Sequence, residues 1–193
     1  MKETTVDRRI RKTRQQLRQS LTALLKVKPI QDITVKELAD MADINRGTFY
    51  LHYRDVFDLL NQIEDELLTE LETLLEQYQP GDILSNTVQI FDNLYELVQK
   101  NSELVGILIG EHGELNFVNR LNHILREKCL RDWMEHFRTD GDDTFEAYYV
   151  FITSGCMGLV QYWLNNGMKE TPLELAKLTE QMILNGAKLL GAE

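Results

Sequence analysis

Little in this sequence breaks a helix or staples a loop: 193 residues contain three prolines, eleven glycines and two cysteines. With β-branched runs also sparse, the composition favours an all-α chain over one built on strands and turns. The two cysteines, Cys129 and Cys156, fall inside apolar stretches of helical pattern and lack the short spacing of metal ligands. Buried free thiols are therefore expected rather than a disulfide framework. No run of about 18 apolar residues marks a membrane span, and no N-terminal apolar segment marks export, so the expected location is the cytoplasm, with no membrane partner. No glycine-rich phosphate loop or nucleophile motif is present, which argues against an enzyme.

Positive charge is scarce overall but unevenly placed. Residues 1–54 carry 12 Lys and Arg against 6 Asp and Glu, a net of +6, whereas residues 55–193 carry 9 against 25, a net of −16. The formal total of −10 conceals this division. Because the field at a surface is set within roughly a Debye length of about 8–10 Å, a basic head can still attract a polyanion while the acidic remainder is repelled.

The basic part contains the most strongly punctuated stretch of the chain, ITVKELADMADINRGTFYLHYR from Ile33 to Arg54. Thr34 with Glu37 three residues on predicts a capped helix carrying Val35, Leu38, Ala39 and Ala42 at helical spacing. Asp43 interrupts it, and Asn45 can cap a second short helix from Arg46 to His52. That pattern is a helix-turn-helix whose second member presents Arg46, Gly47, Thr48, Tyr50 and His52 outward. Arginine can take two acceptors of guanine, threonine a phosphate or a thymine methyl, and tyrosine a phosphate. A basic helix from about Asp7 to Val27 precedes the motif, with Ile10, Leu17, Leu21, Leu24 and Leu25 on one face and Arg8, Arg9, Arg11, Lys12, Arg14 and Arg18 on the others.

The residues TVKELADMADINRGTFYLHYRDVFDLL resemble the DNA-binding motif of the TetR family of bacterial transcription regulators, through Thr34, Ala39, Ala42, Ile44, Gly47, Thr48, Tyr50 and Tyr53. The likeness is detailed over about the first third of the chain. The remainder resembles the family as an all-helical regulatory domain, of the type common in low-GC Gram-positive bacteria. Asp43 replaces the usual turn glycine, Asn45 the usual serine and Arg54 the usual lysine. Aspartate tolerates a left-handed backbone, and the other two replacements keep the cap and the cation. The resemblance implies a double-stranded DNA operator read by Thr34, Asn45, Arg46, Gly47, Thr48, Tyr50, His52, Tyr53 and Arg54. It also implies a homodimer reading an inverted repeat and a small-molecule effector, with no cofactor. The domains expected are a three-helix head over 1–54 and a regulatory, effector-binding and dimerisation domain over 55–193.

Beyond the head, Val56, Leu59, Leu60, Ile63, Leu67, Leu71, Leu74 and Leu75 predict one connecting helix from about Asp55 to Tyr78. Helices are expected over 83–100, 103–109 and 114–137, with Asn101 and Ser102 as a cap. Phe91, Tyr95, Phe117, Trp133, Tyr148 and Tyr149 can line an effector pocket or fill a core; the pattern is the same for both. The stretch 142–166 is apolar on nearly every side, which calls for burial against a partner subunit. With a final helix from about Thr171 to Leu190 it would form a four-helix dimer interface through Gly155, Gly158, Tyr162, Trp163, Leu175, Leu178 and Met182. His112, His123 and His136 with Cys129 raise metal sensing as an alternative, though one helical face offers only two ligands. A repressor is the leading expectation; an effector-dependent activator and a protein-interaction module are the others.

Overall fold

The computed structural model describes residues 5–78, 85–110, 115–137 and 143–187, with side chains over 8–78, 85–110, 116–128 and 143–184. Among these, the chain forms nine α-helices and no strand: α1 Thr5–Leu25, α2 Val35–Met41, α3 Arg46–Tyr50, α4 Val56–Leu75, α5 Thr87–Lys100, α6 Ser102–Leu108, α7 Leu115–Phe137, α8 Asp143–Asn165 and α9 Pro172–Ala187. A single 3-10 turn, Ile30–Asp32, follows Pro29 between α1 and α2. The chain divides into two compact units, Met1–Leu67 and Leu68–Glu193. This division falls inside α4 rather than before it at residue 55.

The first unit needs the start of α4 because α1, α2 and α3 by themselves leave an apolar side uncovered. Leu17, Leu21 and Leu24 of α1, Leu38 and Ala39 of α2 and Phe49 of α3 are buried, and so are Val56, Leu59, Leu60, Ile63 and Leu67 of α4. An ion pair from Arg18 to Glu66 at 3.2 Å links α1 to α4 at the surface. Ile10, expected on the same stripe as Leu17, is instead exposed.

Helix ends in both units follow from side-chain chemistry. The α2 C-terminus closes as a Schellman motif, with Asp43 at φ 53°, its N–H bonded to the Asp40 carbonyl at 3.3 Å and the Ile44 N–H to the Ala39 carbonyl at 3.0 Å. The α8 C-terminus repeats it with Gly167 at φ 79°, where the Met168 N–H reaches the Trp163 carbonyl at 2.9 Å. At the start of α9 the expected capping box is complete. Thr171 Oγ1 accepts from the Glu174 N–H at 3.3 Å, and Glu174 Oε2 accepts from the Thr171 N–H at 2.8 Å. One expected cap is not made. The Asn101 side-chain amide turns back to donate to the Leu97 carbonyl at 3.0 Å, securing the end of α5 rather than opening α6.

In the second unit α5 lies along α9, and α6 packs on α8. Their core holds Tyr95, Trp163, Leu175 and Ala176, with Val88, Phe91, Val98, Leu159, Val160 and Met168 packed around them. Tyr95 meets Trp163 edge to face at 5.6 Å between centroids, and its hydroxyl shares a 2.7 Å hydrogen bond with Thr179. The Trp163 indole N–H donates to the Glu170 carbonyl at 2.9 Å, so the largest buried side chain among the described residues is also satisfied. No described helix is long and apolar enough to cross a membrane.

Candidate nucleic-acid interface

The α2–α3 pair is held by its two caps. Thr34 Oγ1 accepts from the Glu37 N–H at 3.2 Å, and Asn45 Oδ1 accepts from the Gly47 N–H at 2.8 Å. Only half of the expected capping box at Thr34 forms, because the Glu37 carboxylate pairs with Lys28 at 2.6 Å. Lys28 also donates to the Asp32 carbonyl at 3.0 Å, tying the inter-helix turn to the first turn of α2.

Helix α3 is shorter than expected, ending at Tyr50, although Leu51 keeps helical angles and donates to the Gly47 carbonyl. One side of it is sealed by Phe49, which is fully buried and sits 5.6 Å from the Tyr50 ring and 5.7 Å from the Tyr53 ring. The other side is open. Asn45, Arg46, Gly47, Tyr50, Leu51 and Arg54 are exposed, and Thr48 and His52 are half-buried. Tyr50 is 58% exposed despite its aromatic ring and its edge contact with Phe49. Thr34 is exposed at the N-terminus of α2.

Tyr53 is corrected by the structure. Its ring is buried beside Phe49 and His52, where desolvation raises its pKa, so it anchors α3 from within instead of offering a contact surface. Arg54 remains exposed but is not a free cation. Its backbone N–H and guanidinium both reach Asp58, at 2.9 and 3.1 Å, while Asp55 caps α4 by accepting from the Asp58 N–H at 2.8 Å. The Arg54 backbone N–H, then its guanidinium, hold the Asp58 carboxyl below the usual carboxylate range. Leu51 was not anticipated as a surface residue of this helix. Its position two residues beyond the fully buried Phe49 is the signal that would have found it.

The expected effector residues whose side chains are described pack inside the second unit. Phe91 stacks on Tyr95 at 6.0 Å, Tyr95 and Phe117 are buried, and Tyr148 donates to the Ile183 carbonyl at 2.7 Å. Burial lifts the Tyr148 hydroxyl to about 12 and the Cys156 thiol likewise to about 12. Tyr149 is buried with the Arg126 guanidinium 5.6 Å over its ring, and that arginine makes a two-pronged pair with Glu146 at 2.7 and 3.0 Å. The Trp133 side chain lies outside the described residues, as do Cys129, His112 and His136. His123 lies 3.7 Å from Glu127 on the surface of α7, and no group of three potential ligands gathers among the described residues.

The expected dimer residues separate into two sets. Trp163 and Leu175, at 0% and 2% exposure, belong to the core of a single chain and cannot face a partner. Gly155, Gly158 and Tyr162 of α8 and Leu178 and Met182 of α9 are exposed, together with Val150, Phe151 and Leu184. A Cβ added at Gly155 or Gly158 would meet nothing within 4 Å, so packing inside the chain does not require either glycine.

Comparison with known proteins agrees with this architecture. Residues 85–185 match the TetR C-terminal family described as "Transcriptional regulator C-terminal region". The chain is 26% identical over 180 residues to the HTH-type transcriptional regulator YxbF of Bacillus subtilis, covering 87% of this chain and 44% of that protein. It thus spans less than half the length of that relative. It is also 26% identical over 183 residues to the nucleoid occlusion factor SlmA of Idiomarina loihiensis, covering 85% of this chain and 89% of that one. Among solved structures, a TetR transcriptional regulator from Streptococcus agalactiae superposes with a TM-score of 0.64 at 21% identity, over 92% of this chain and 96% of that one. FadR from Bacillus subtilis, solved with stearoyl-CoA, gives 0.65 at 14% identity over 89% and 98%. With a capped helix-turn-helix in a basic head and a matching C-terminal region, the chain belongs to the TetR family of DNA-binding transcriptional regulators.

Proposed function

We propose that this protein is an effector-responsive repressor that binds an inverted-repeat operator as a homodimer in the cytoplasm. The observation that carries the reading is the open side of α3. Arg46, Gly47 and Tyr50 stand exposed on a helix locked on another side by Phe49, and α1 of the same unit carries Arg8, Arg9, Arg11, Lys12 and Arg14, all exposed. A short helix anchored on one side and polar or bare on the other fits a major groove, with the surrounding cations set against phosphate. Dimerisation is supported by the exposed apolar strip of α8 and α9, in which Gly155 and Gly158 would let a second α8 approach closely. A two-fold axis would then set two copies of α3 at half-sites about 34–36 Å apart.

Effector control is supported by the cluster of aromatic residues inside the second unit and by FadR of Bacillus subtilis, a protein of this fold solved with stearoyl-CoA. An effector acts by preferring a conformation in which the heads no longer match the half-site spacing. Selection from a random duplex pool at physiological salt, followed by a reporter carrying the recovered site in a promoter, tests the reading. An inverted repeat and reduced reporter expression are expected. Raised expression would instead identify an activator, and recovery of no preferred sequence would remove the operator reading.

A further inference from the structure

Leu51 is 81% exposed, more than any other large apolar side chain among the described residues. Its surroundings make this exposure costly and specific. At about 100° per residue, two positions beyond the buried Phe49 is nearly the opposite pole of the helix, and Gly47 lies one turn earlier on the same outward line. Gly47 has ordinary helical backbone, and a Cβ there would meet only its own cap, Asn45 Oδ1, at 3.3 Å. Backbone geometry does not call for a glycine at this place, and inside the protein a side chain there would crowd only the Asn45 cap. The outward pole of α3 is therefore a bare turn followed by a leucine, flanked by exposed Arg46, Tyr50 and Arg54.

An apolar side chain beside the Arg46 cation and the Tyr50 hydroxyl fits an occupant that is anionic around an apolar point. Duplex DNA offers that combination, since the C5-methyl of thymine is the apolar feature among the polar base edges of the major groove. Resting on the operator reading above, we propose that Leu51 is a specificity-determining residue that reads a thymine through its methyl group. Gly47 permits the close approach that brings Leu51 to the base edges. Arg46 and Tyr50 hold the adjacent sugar-phosphate backbone or base acceptors.

The test is a deoxyuridine scan of a duplex recovered by selection from a random pool, replacing one thymine pair at symmetric positions at a time, with binding measured for the full chain and for Leu51→Ala and Leu51→Met. Deoxyuridine removes only the methyl. The expected result is one symmetric position at which methyl removal weakens the unmodified protein by about fourfold per half-site, the equivalent of about one buried CH₂. Leu51→Ala should bind the parent duplex correspondingly less well and be indifferent to deoxyuridine at that position, while Leu51→Met should keep the sensitivity. If Leu51→Ala weakens every duplex equally, or stays as sensitive to deoxyuridine as the unmodified protein, the inference is overturned and the operator reading stands. If the pool yields no preferred duplex, the operator reading falls and the inference falls with it.

Discussion

At the scale of single residues, exposure separates the groups that can meet DNA from those that hold them in place. Arg46 and Tyr50 face solvent on α3, whereas Phe49 and Tyr53 are buried in the same segment. Truncating either exposed residue removes contacts without opening a cavity. Arg46→Ala and Tyr50→Ala are each expected to weaken operator binding by about 5- to 150-fold, as for loss of one specific contact, with unchanged thermal unfolding. Titration of a selected duplex alongside a melting curve checks this, and undiminished affinity in both variants would remove α3 from the interface. The sequence named both residues from chemistry and spacing. Tyr53 it placed wrongly, because matching a motif position does not show whether a ring points outward or anchors the helix from below.

At the scale of elements, two Schellman turns use different residues for one backbone conformation. Asp43 stands at φ 53° where Gly167 stands at φ 79°, and a non-glycine residue there carries a left-handed penalty of roughly 1–2 kcal/mol, eased for aspartate. Asp43→Gly is therefore expected to stabilise the protein by several tenths of a kcal/mol, and Asp43→Val to destabilise it by about 1–2 kcal/mol. Denaturant unfolding of the two variants decides; a Val variant as stable as the parent would show that the turn can adopt another geometry.

The α9 capping box adds a dependence on pH. The Glu174 carboxyl is held below its ordinary value of 4.5, first by the Thr171 N–H and then by the Thr171 hydroxyl. A folded pKa below the unfolded one gives stability that is fully present above the unfolded value and is lost as pH falls through the folded value. Acidification from about pH 5 downward should fray the start of α9. Glu174→Gln should remove that part of the acid sensitivity in a series of thermal melts, and an unchanged pH profile would show the carboxylate contributes nothing there.

At the scale of the whole molecule, the apolar residues of α8 divide between core and surface. Trp163 is enclosed by its own chain, while Tyr162, 59% exposed, shares an open strip with Phe151 and Gly158. Trp163→Ala is expected to cost about 3–5 kcal/mol of stability, as a large core truncation does. Tyr162→Asp should leave the subunit folded and dissociate the proposed dimer, taking operator affinity with it because one head reaches one half-site. Sedimentation with denaturant unfolding distinguishes the two, and an intact dimer of Tyr162→Asp would move the interface elsewhere.

Helix content, the helix-turn-helix, three of the four expected caps and the split of charge between a basic head and an acidic remainder were legible in the sequence. Each depends on interactions within a few residues: Thr34 reaches Glu37, Asn45 reaches Gly47 and Thr171 exchanges bonds with Glu174. Asn101 failed because its side chain had a second local acceptor, the Leu97 carbonyl, which sequence does not rank against the cap. Only the tertiary structure decided which apolar residues of a helix hydrophobic all round are core and which are surface. Trp163 and Tyr162 are neighbours in sequence with similar chemistry, and their fates differ because α5 and α9 cover the one and leave the other open. The same holds for Leu51, whose residue type suggests burial and whose place opposite Phe49 exposes it. Local hydrogen bonds are fixed by spacing along the chain, whereas burial is fixed by whatever the rest of the fold brings alongside.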